Sequence, residues 1–281
     1  FGADSLTLRQ RTRLKNTHLL HALAVADGVL SPTHFQASQH PAWVQDRITV
    51  VHDGIDTARF APDPAASVHL KVARSTLRPG DEILTFVARE LEPYRGYHTF
   101  VRSLPLLQQL RPQARVVIVG GDGVSYGAAA PRGATWKQHF LSEVADRIDM
   151  DRVHFVGKLP HEVLTQLMQV SAAHVYLTYP FVLSWSLLEA MSVGCVVVGS
   201  DTAPVREVIT HGHNGFLTDF FDPQALARQA AHALEHRGDM ATIRQAARQT
   251  VIDRYDTRTR CLPAWTRFVL GEPPGVTPTA P

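Results

Sequence analysis

Between Ser5 and Asp27 the apolar positions Leu14, Leu19, Leu20, Leu23 and Val25 recur at helical spacing and predict a first helix. A short strand through Val29 and Leu30 follows and stops at Ser31-Pro32, a helix-starting pair because proline suits the first helical position. Ile48 to Val51 reads as another short strand. Phe60-Ala61-Pro62-Asp63-Pro64-Ala65 then reads as a linker, since two closely spaced prolines break helix and strand alike.

Beyond it the pattern becomes regular. Strand-like apolar runs at Ile83 to Val87, Val116 to Val119, Val153 to Val156, His174 to Leu177 and Cys195 to Val198 alternate with helical stretches. Those stretches lie at Tyr97 to Leu110, Trp136 to Arg147, Glu162 to Val170 and Ser186 to Val193. Such βαβ alternation predicts an α/β fold with a Rossmann-like, doubly wound parallel sheet. Right-handed crossovers place every strand's carboxyl end at one edge, where ligands of such sheets bind. Arg89, Gly120 to Gly123, Gly157 and the segment Tyr179 to Glu189 all follow strand ends, and so converge on one edge. The expected organisation is residues 1–60, then a Rossmann-like domain over 61–270, then a disordered Pro/Gly-rich tail over 271–281.

The chain's 281 residues, 44% of them hydrophobic, allow one large or two medium domains with a proper core. With 28 basic and 26 acidic residues the net charge is +2, which gives no support for a nucleic-acid surface. No stretch reads as a membrane span, and Leu8-Arg9-Gln10-Arg11-Thr12-Arg13-Leu14-Lys15 is a basic helix rather than a leader peptide. Cys195 and Cys261 form no paired motif, which points to a reducing compartment, the cytoplasm, with the basic first helix as a possible peripheral membrane contact. Among fifteen histidines, His161-Glu162 lacks the second histidine of a zinc helix and His211-x-His213 lacks a third ligand, so no metal site is expected.

Arg89 and Arg95, with Gly96 before the next helix, form the best anion site: two guanidiniums engage a diphosphate and the glycine permits close backbone approach. The competing reading is two solvated arginines paired with Glu90 and Glu92. Gly121 and Asp122 lie in a Gly-rich turn after an apolar strand, and Val124 to Pro131 reads as a long, mobile loop. Glu189 opens a Glu-Ala-Met run near a predicted helix start, where a carboxylate can accept hydrogen bonds from a ribose; alternatively it faces water.

These motifs together resemble the retaining glycosyltransferases of family 4, which have the two-domain GT-B fold. The resemblance runs in order through Ala26 to Ser31, Val50 to Asp56, Phe86 to Arg89 with Arg95-Gly96, Val117 to Gly123, His154 to Gly157, Ser184 to Glu189, and Pro204 to Ile209 with Asn214 to Leu217. It implies a nucleotide-sugar donor, UDP- or GDP-linked, as substrate with no cofactor, and a glycan or lipid-linked acceptor. Residues 1–60 would be the end of the acceptor-side domain, making the chain a fragment that binds donor. The resemblance places the donor diphosphate on Arg89 and Arg95, the ribose on Glu189 and the base against Phe155, Val156 and Gly157. Phe155 as plain core is the alternative.

Two positions depart from the family pattern. Arg95 replaces its usual lysine. Phe181 stands where the first of two glutamates, seven residues apart, usually touches the donor sugar. Either Ser184, Ser186 and backbone amides from Trp185 through Leu187 to Leu188 hold the sugar, or activity is altered. A non-catalytic donor-binding module and a GT-B epimerase therefore stay open.

Overall fold

The computed structural model describes residues 5–70 and 75–272. They fall into two compact units. One comprises residues up to His52 together with those from Pro263 onward, and the other spans Asp53–Leu262.

In the first unit α1 (Leu6–Val25) begins at Ser5, whose hydroxyl accepts the Leu8 amide at 3.1 Å. No residue of α1 is buried, so its predicted apolar positions stand at the surface. Strand β1 (Val29–Ser31) pairs in parallel with β2 (Ile48–Val50). Between them lie α2 (His34–Ser38) and α3 (Ala42–Gln45). Helix α2 starts later than Ser31-Pro32 suggests. The Ser31 hydroxyl donates to the Thr33 carbonyl at 3.1 Å, and Thr33 becomes the cap by accepting the Gln36 amide at 3.0 Å. The last helix, Leu262–Leu270, contributes Trp265, which donates to the His52 carbonyl at 3.2 Å.

The second unit opens with an antiparallel pair, β3 (Val68–Leu70) and β4 (Ser75–Leu77). Its sheet holds β5 (Ile83–Glu90), β6 (Arg115–Gly121), β7 (Val153–Gly157), β8 (Ala173–Tyr176), β9 (Val196–Ser200) and β10 (Phe216–Thr218). The helices are α4 (Tyr97–Leu110), α5 (Trp136–Leu141), α6 (His161–Val170), α7 (Trp185–Ser192), α8 (Ala203–Arg206), α9 (Pro223–Glu235) and α10 (Ala241–Tyr255). Six parallel strands run in the order β10-β9-β8-β5-β6-β7. The chain winds outward from β5 in one direction and returns to wind outward from β8 in the other.

Both faces are covered, and strand alternation sorts the side chains between them. Val116 and Ile118 pack toward Phe100, Leu104 and Leu226 of α4 and α9, whereas Val117 and Val119 pack toward Leu167 and Val170 of α6. Coverage on both sides is why these strands read as continuous apolar runs. Helix α5 stops at Leu141, short of the expected Arg147, and a 3-10 turn takes up Ala145–Arg147.

The Phe60 to Ala65 segment is no free linker. Phe60 is buried, its carbonyl accepts from the Ser192 hydroxyl at 2.6 Å and from Arg248 at 3.0 Å, and Gln169 donates to the Ala61 carbonyl at 2.7 Å. Its prolines set a fixed path along the second unit. Most of the expected disordered tail, residues 273–281, lies outside the described residues. Both cysteines are free and buried, and burial pushes each thiol up to about 11. Among the described residues no helix is long and apolar enough to cross a membrane.

Two buried histidines make stability pH-dependent. His174 has its Nδ1 3.0 Å from the Thr85 hydroxyl, and burial holds its pKa down at about 4; burial, then Arg102, holds His98 at about 4 as well. Both pKa values are depressed on folding, so the neutral form is favoured and stability present above pH 6.5 is lost as pH falls toward 4. Each histidine should cost about 2 kcal/mol at pH 5 relative to pH 7. Urea melts at the two pH values test this, and a flat profile refutes it.

Candidate functional site

At the carboxyl ends of β5 and β8, where the strand order reverses, a cleft of about 640 Å³ opens. Loops leaving adjacent strands in opposite directions create the crevice in which open parallel sheets bind ligands. Arg89, Arg95, Lys158, His161, Ser184 and Ser186 line its polar parts.

The two carboxylates that were candidates to neutralise the arginines are committed elsewhere. Glu90 accepts Lys158 Nζ at 2.5 Å and the Gly123 amide at 2.8 Å, and the Lys158 hydrogen bond leads in holding its carboxyl below the usual range. Glu92 is fully buried, and its Oε2 accepts the amides of Ser125, Tyr126 and Gly127 at 3.3, 3.2 and 3.3 Å. Arg89 stays exposed on the cleft. The loop expected to be mobile is pinned by these bonds and by Trp136, whose Nε1 donates to the Ala128 carbonyl at 2.8 Å.

Arg95 is 8% exposed, and its Nη1 donates to the Thr178 hydroxyl at 3.2 Å. Its guanidinium carbon lies 4.9 Å from the Phe181 ring centre and 5.3 Å from that of Tyr126. Phe181 is therefore occupied by Arg95.

Gly96 has φ +70°, and an added Cβ would sit 2.3 Å from Leu177 Cβ. The glycine is required by the close approach of the start of α4 to Leu177, just past the end of β8. A Cβ at Gly121 would lie 2.3 Å from Glu90 Oε2 and 2.5 Å from Lys158 Cε, so this glycine leaves room for the ion pair. Asp122 faces Lys137 Nζ at 3.7 Å, and the same ammonium lies 4.7 Å from the Phe155 ring centre. Phe155 packs on the α4-side core, Val156 on the opposite cluster, and Gly157 turns at φ +68°. All five residues belong to the carboxyl ends of β6 and β7, and none lines the cleft.

Glu189 sits in the second turn of α7 rather than at its first, and it is buried rather than solvated. Its Oε1 lies 3.0 Å from Nε2 of His161, the residue that opens α6. A carboxylate only accepts, so Nε2 carries the proton. Sequence reasoning weighed His161 solely as a metal ligand and missed this partnership. The available signal was its place just after β7, at the edge where the other candidates converge. Tyr126 and Lys158 were missed likewise.

The first turn of α7 offers fewer donors than expected. The Ser184 amide donates to the Tyr176 hydroxyl at 2.7 Å and the Leu187 amide to the Ser184 carbonyl at 3.2 Å. Leu187 and Leu188 are core residues, and Trp185 turns its Nε1 to Asp53 at 3.1 Å. The amides of Trp185 and Ser186 hold first-turn positions that lack an intrahelical acceptor. The Ser184 and Ser186 hydroxyls lie 3.1 Å apart on the cleft. Among the described residues no group of three or more His, Cys, Asp or Glu is placed to hold a metal ion.

The pattern of the Glycosyl transferases group 1 family matches residues 70–250, from β3 through most of α10. The chain belongs to this family. The pattern of the Glycosyl transferase family 4 group matches residues 2–60. Curated relatives include the D-inositol 3-phosphate glycosyltransferases of Streptomyces coelicolor and Mycolicibacterium vanbaalenii. The first is 27% identical over 73% of this chain and 47% of its own length, the second 26% identical over 79% and 48%. The chain thus spans about half the length of these relatives. Among solved structures, HepE of Anabaena in complex with UDP and glucose matches with TM-score 0.70 and 22% identity, covering 92% of this chain and 67% of that one. Sucrose-phosphate synthase of Thermosynechococcus elongatus matches with TM-score 0.73 and 22% identity, covering 96% and 64%. At that identity the likeness is one of fold, the GT-B type, as the family resemblance implied.

The Gly96 geometry yields a direct test. Gly96→Ala puts a Cβ at left-handed φ against Leu177 and should cost about 2–4 kcal/mol of stability. A urea midpoint equal to wild type would mean that Leu177 moves aside without penalty.

Proposed function

We propose that the second unit binds a nucleotide sugar, UDP- or GDP-linked, and that the protein acts as a retaining, metal-independent glycosyltransferase. One observation carries this reading: Arg89, Arg95 and Lys158 share a single cleft with His161, whose ring holds the buried Glu189, at the strand-order reversal of the sheet.

The chemistry follows from charge. Breaking the bond between the sugar's anomeric carbon and the diphosphate leaves negative charge on the diphosphate oxygens. Two guanidiniums and the amides of Trp185 and Ser186 are suited to stabilise that charge as it develops. Arginines in this role take the place that a divalent cation holds elsewhere, which supports metal independence. Glu189, with one oxygen on His161, keeps the other to accept from a ribose hydroxyl. The base would reach toward the end of β7, by Phe155, Val156 and Gly157, beyond Gly121 and Asp122. With Phe181 engaged by Arg95, the Ser184 and Ser186 hydroxyls are the side-chain groups proposed for the sugar. Retention rests on the family 4 resemblance.

The proposed acceptor is a glycan, a lipid-linked sugar or an inositol phosphate, the last suggested by the relatives' names. The buried free thiols of Cys195 and Cys261 support a cytoplasmic setting. The cluster of Arg9, Arg11, Arg13 and Lys15 on the exposed α1 supports peripheral contact with an anionic membrane surface. A second reading, a donor-binding module without transfer activity, is favoured by Phe181 in place of the sugar-contacting glutamate. Transfer or donor hydrolysis by the protein excludes it.

Two measurements test the main reading. Glu189→Gln should weaken UDP or GDP binding by about 1.5–3 kcal/mol, the range for a hydrogen bond to a charged group, while 2′-deoxy nucleotides lose less. Equal losses for ribose and deoxyribose forms would remove Glu189 from the ribose. Transfer activity should persist in chelator; its disappearance, with recovery on adding magnesium or manganese, contradicts the metal-independent mechanism.

A further inference from the structure

Three features of this chain that differ from the family 4 pattern meet at one point. They are an arginine at position 95 for a lysine, Phe181 for a glutamate, and a longer loop after β6 that carries Tyr126. The Phe181 and Tyr126 rings lie 4.8 Å apart at 63°, and both face the Arg95 guanidinium. Tyr94 backs Phe181 edge-on at 6.0 Å. Glu92, which holds the Tyr126 loop by three amides, leads directly into the 3-10 turn that ends at Arg95. The loop's anchor and the guanidinium are thus three residues apart on one turn.

We propose that Tyr126 and Phe181 are positioning residues that clamp the Arg95 guanidinium toward the donor diphosphate. The inference rests on the reading of Arg95 as a diphosphate ligand. A guanidinium is a flat cation with two weakly hydrated faces and N–H donors around its edge. The two rings stand together on one side of the cation, where they exclude water and hold its position, while edge donors beyond those spent on Thr178 and Tyr176 stay available for phosphate oxygens. An ammonium has no such faces, so a lysine here would keep the charge and lose the clamp. A glutamate at 181 would meet the guanidinium and pair with it, competing with the diphosphate. The arginine and the phenylalanine therefore belong together, and the longer loop supplies the second ring.

The test compares UDP and UMP binding to the full 281-residue chain by calorimetry, with GDP and GMP as a parallel pair. Wild type should prefer the diphosphate. Tyr126→Ala should shrink that preference by about three- to tenfold with UMP affinity and melting temperature unchanged, and Tyr126→Phe should keep it. Arg95→Lys and Phe181→Glu should each reduce the preference, and the double variant should retain more than their separate effects predict. Should Arg95→Ala abolish the preference while Tyr126→Ala leaves it at the wild-type value, or should the double variant be additive, the clamp is wrong and the diphosphate reading survives. Should Arg95→Ala change nothing, or the chain bind neither diphosphate, both fall.

Discussion

The commitment of Glu90 and Glu92 to the loop after β6 is the interaction on which the cleft depends. Both carboxylates stand at the end of β5 beside Arg89 and Arg95, where direct pairing would cancel the charge. Instead Glu90 takes Lys158 and the Gly123 amide, and Glu92 takes three successive amides. A buried carboxylate is costly unless donors meet it, and a run of backbone N–H groups meets Oε2 of Glu92 without adding positive charge, while its Oε1 is buried without a partner. The same bonds fold the loop back over β5 and set Tyr126 against Arg95. One arrangement thus leaves the arginines unneutralised, orders the loop and narrows the cleft.

The sheet was legible because its strands are covered on both faces. Val116 to Val119 and Cys195 to Val198 could be read as buried strands from composition alone, and the crossover rule then fixed a shared edge for the residues that follow them. Local signals were less reliable where side chains compete for caps, as at Ser31-Pro32, where Thr33 took over. The pattern also passed over β10, a three-residue strand after an Asn-Gly turn, and α9, although Asp222 before Pro223 is a strong start signal and caps two amides at 2.9 Å.

Within the site, charge was legible and direction was not. Arg89 and Arg95 were singled out because charged residues after apolar strands stand out, and both line the cleft; Glu189 was expected near a helix start and lies in the second turn of α7. Which way Phe181, Trp185 or Glu92 points depends on partners far along the chain: Arg95, Asp53 and the amides from Ser125 to Gly127. No periodicity records such pairings. The same holds for His161, which lies 28 residues before the carboxylate it covers.

His161 shows why a site of this kind needs a modest partner. A carboxylate left without a donor in the core would cost several kcal/mol. An arginine in its place would satisfy both oxygens in a fork and leave none for a ligand. An imidazole occupies one oxygen through one N–H, and its half-exposed ring keeps contact with the cleft. The carboxylate thereby gains one donor from His161 rather than a fork of two. That arrangement suits the role proposed for this buried acid, enclosed by the α7 packing, in which its other oxygen accepts from a donor hydroxyl.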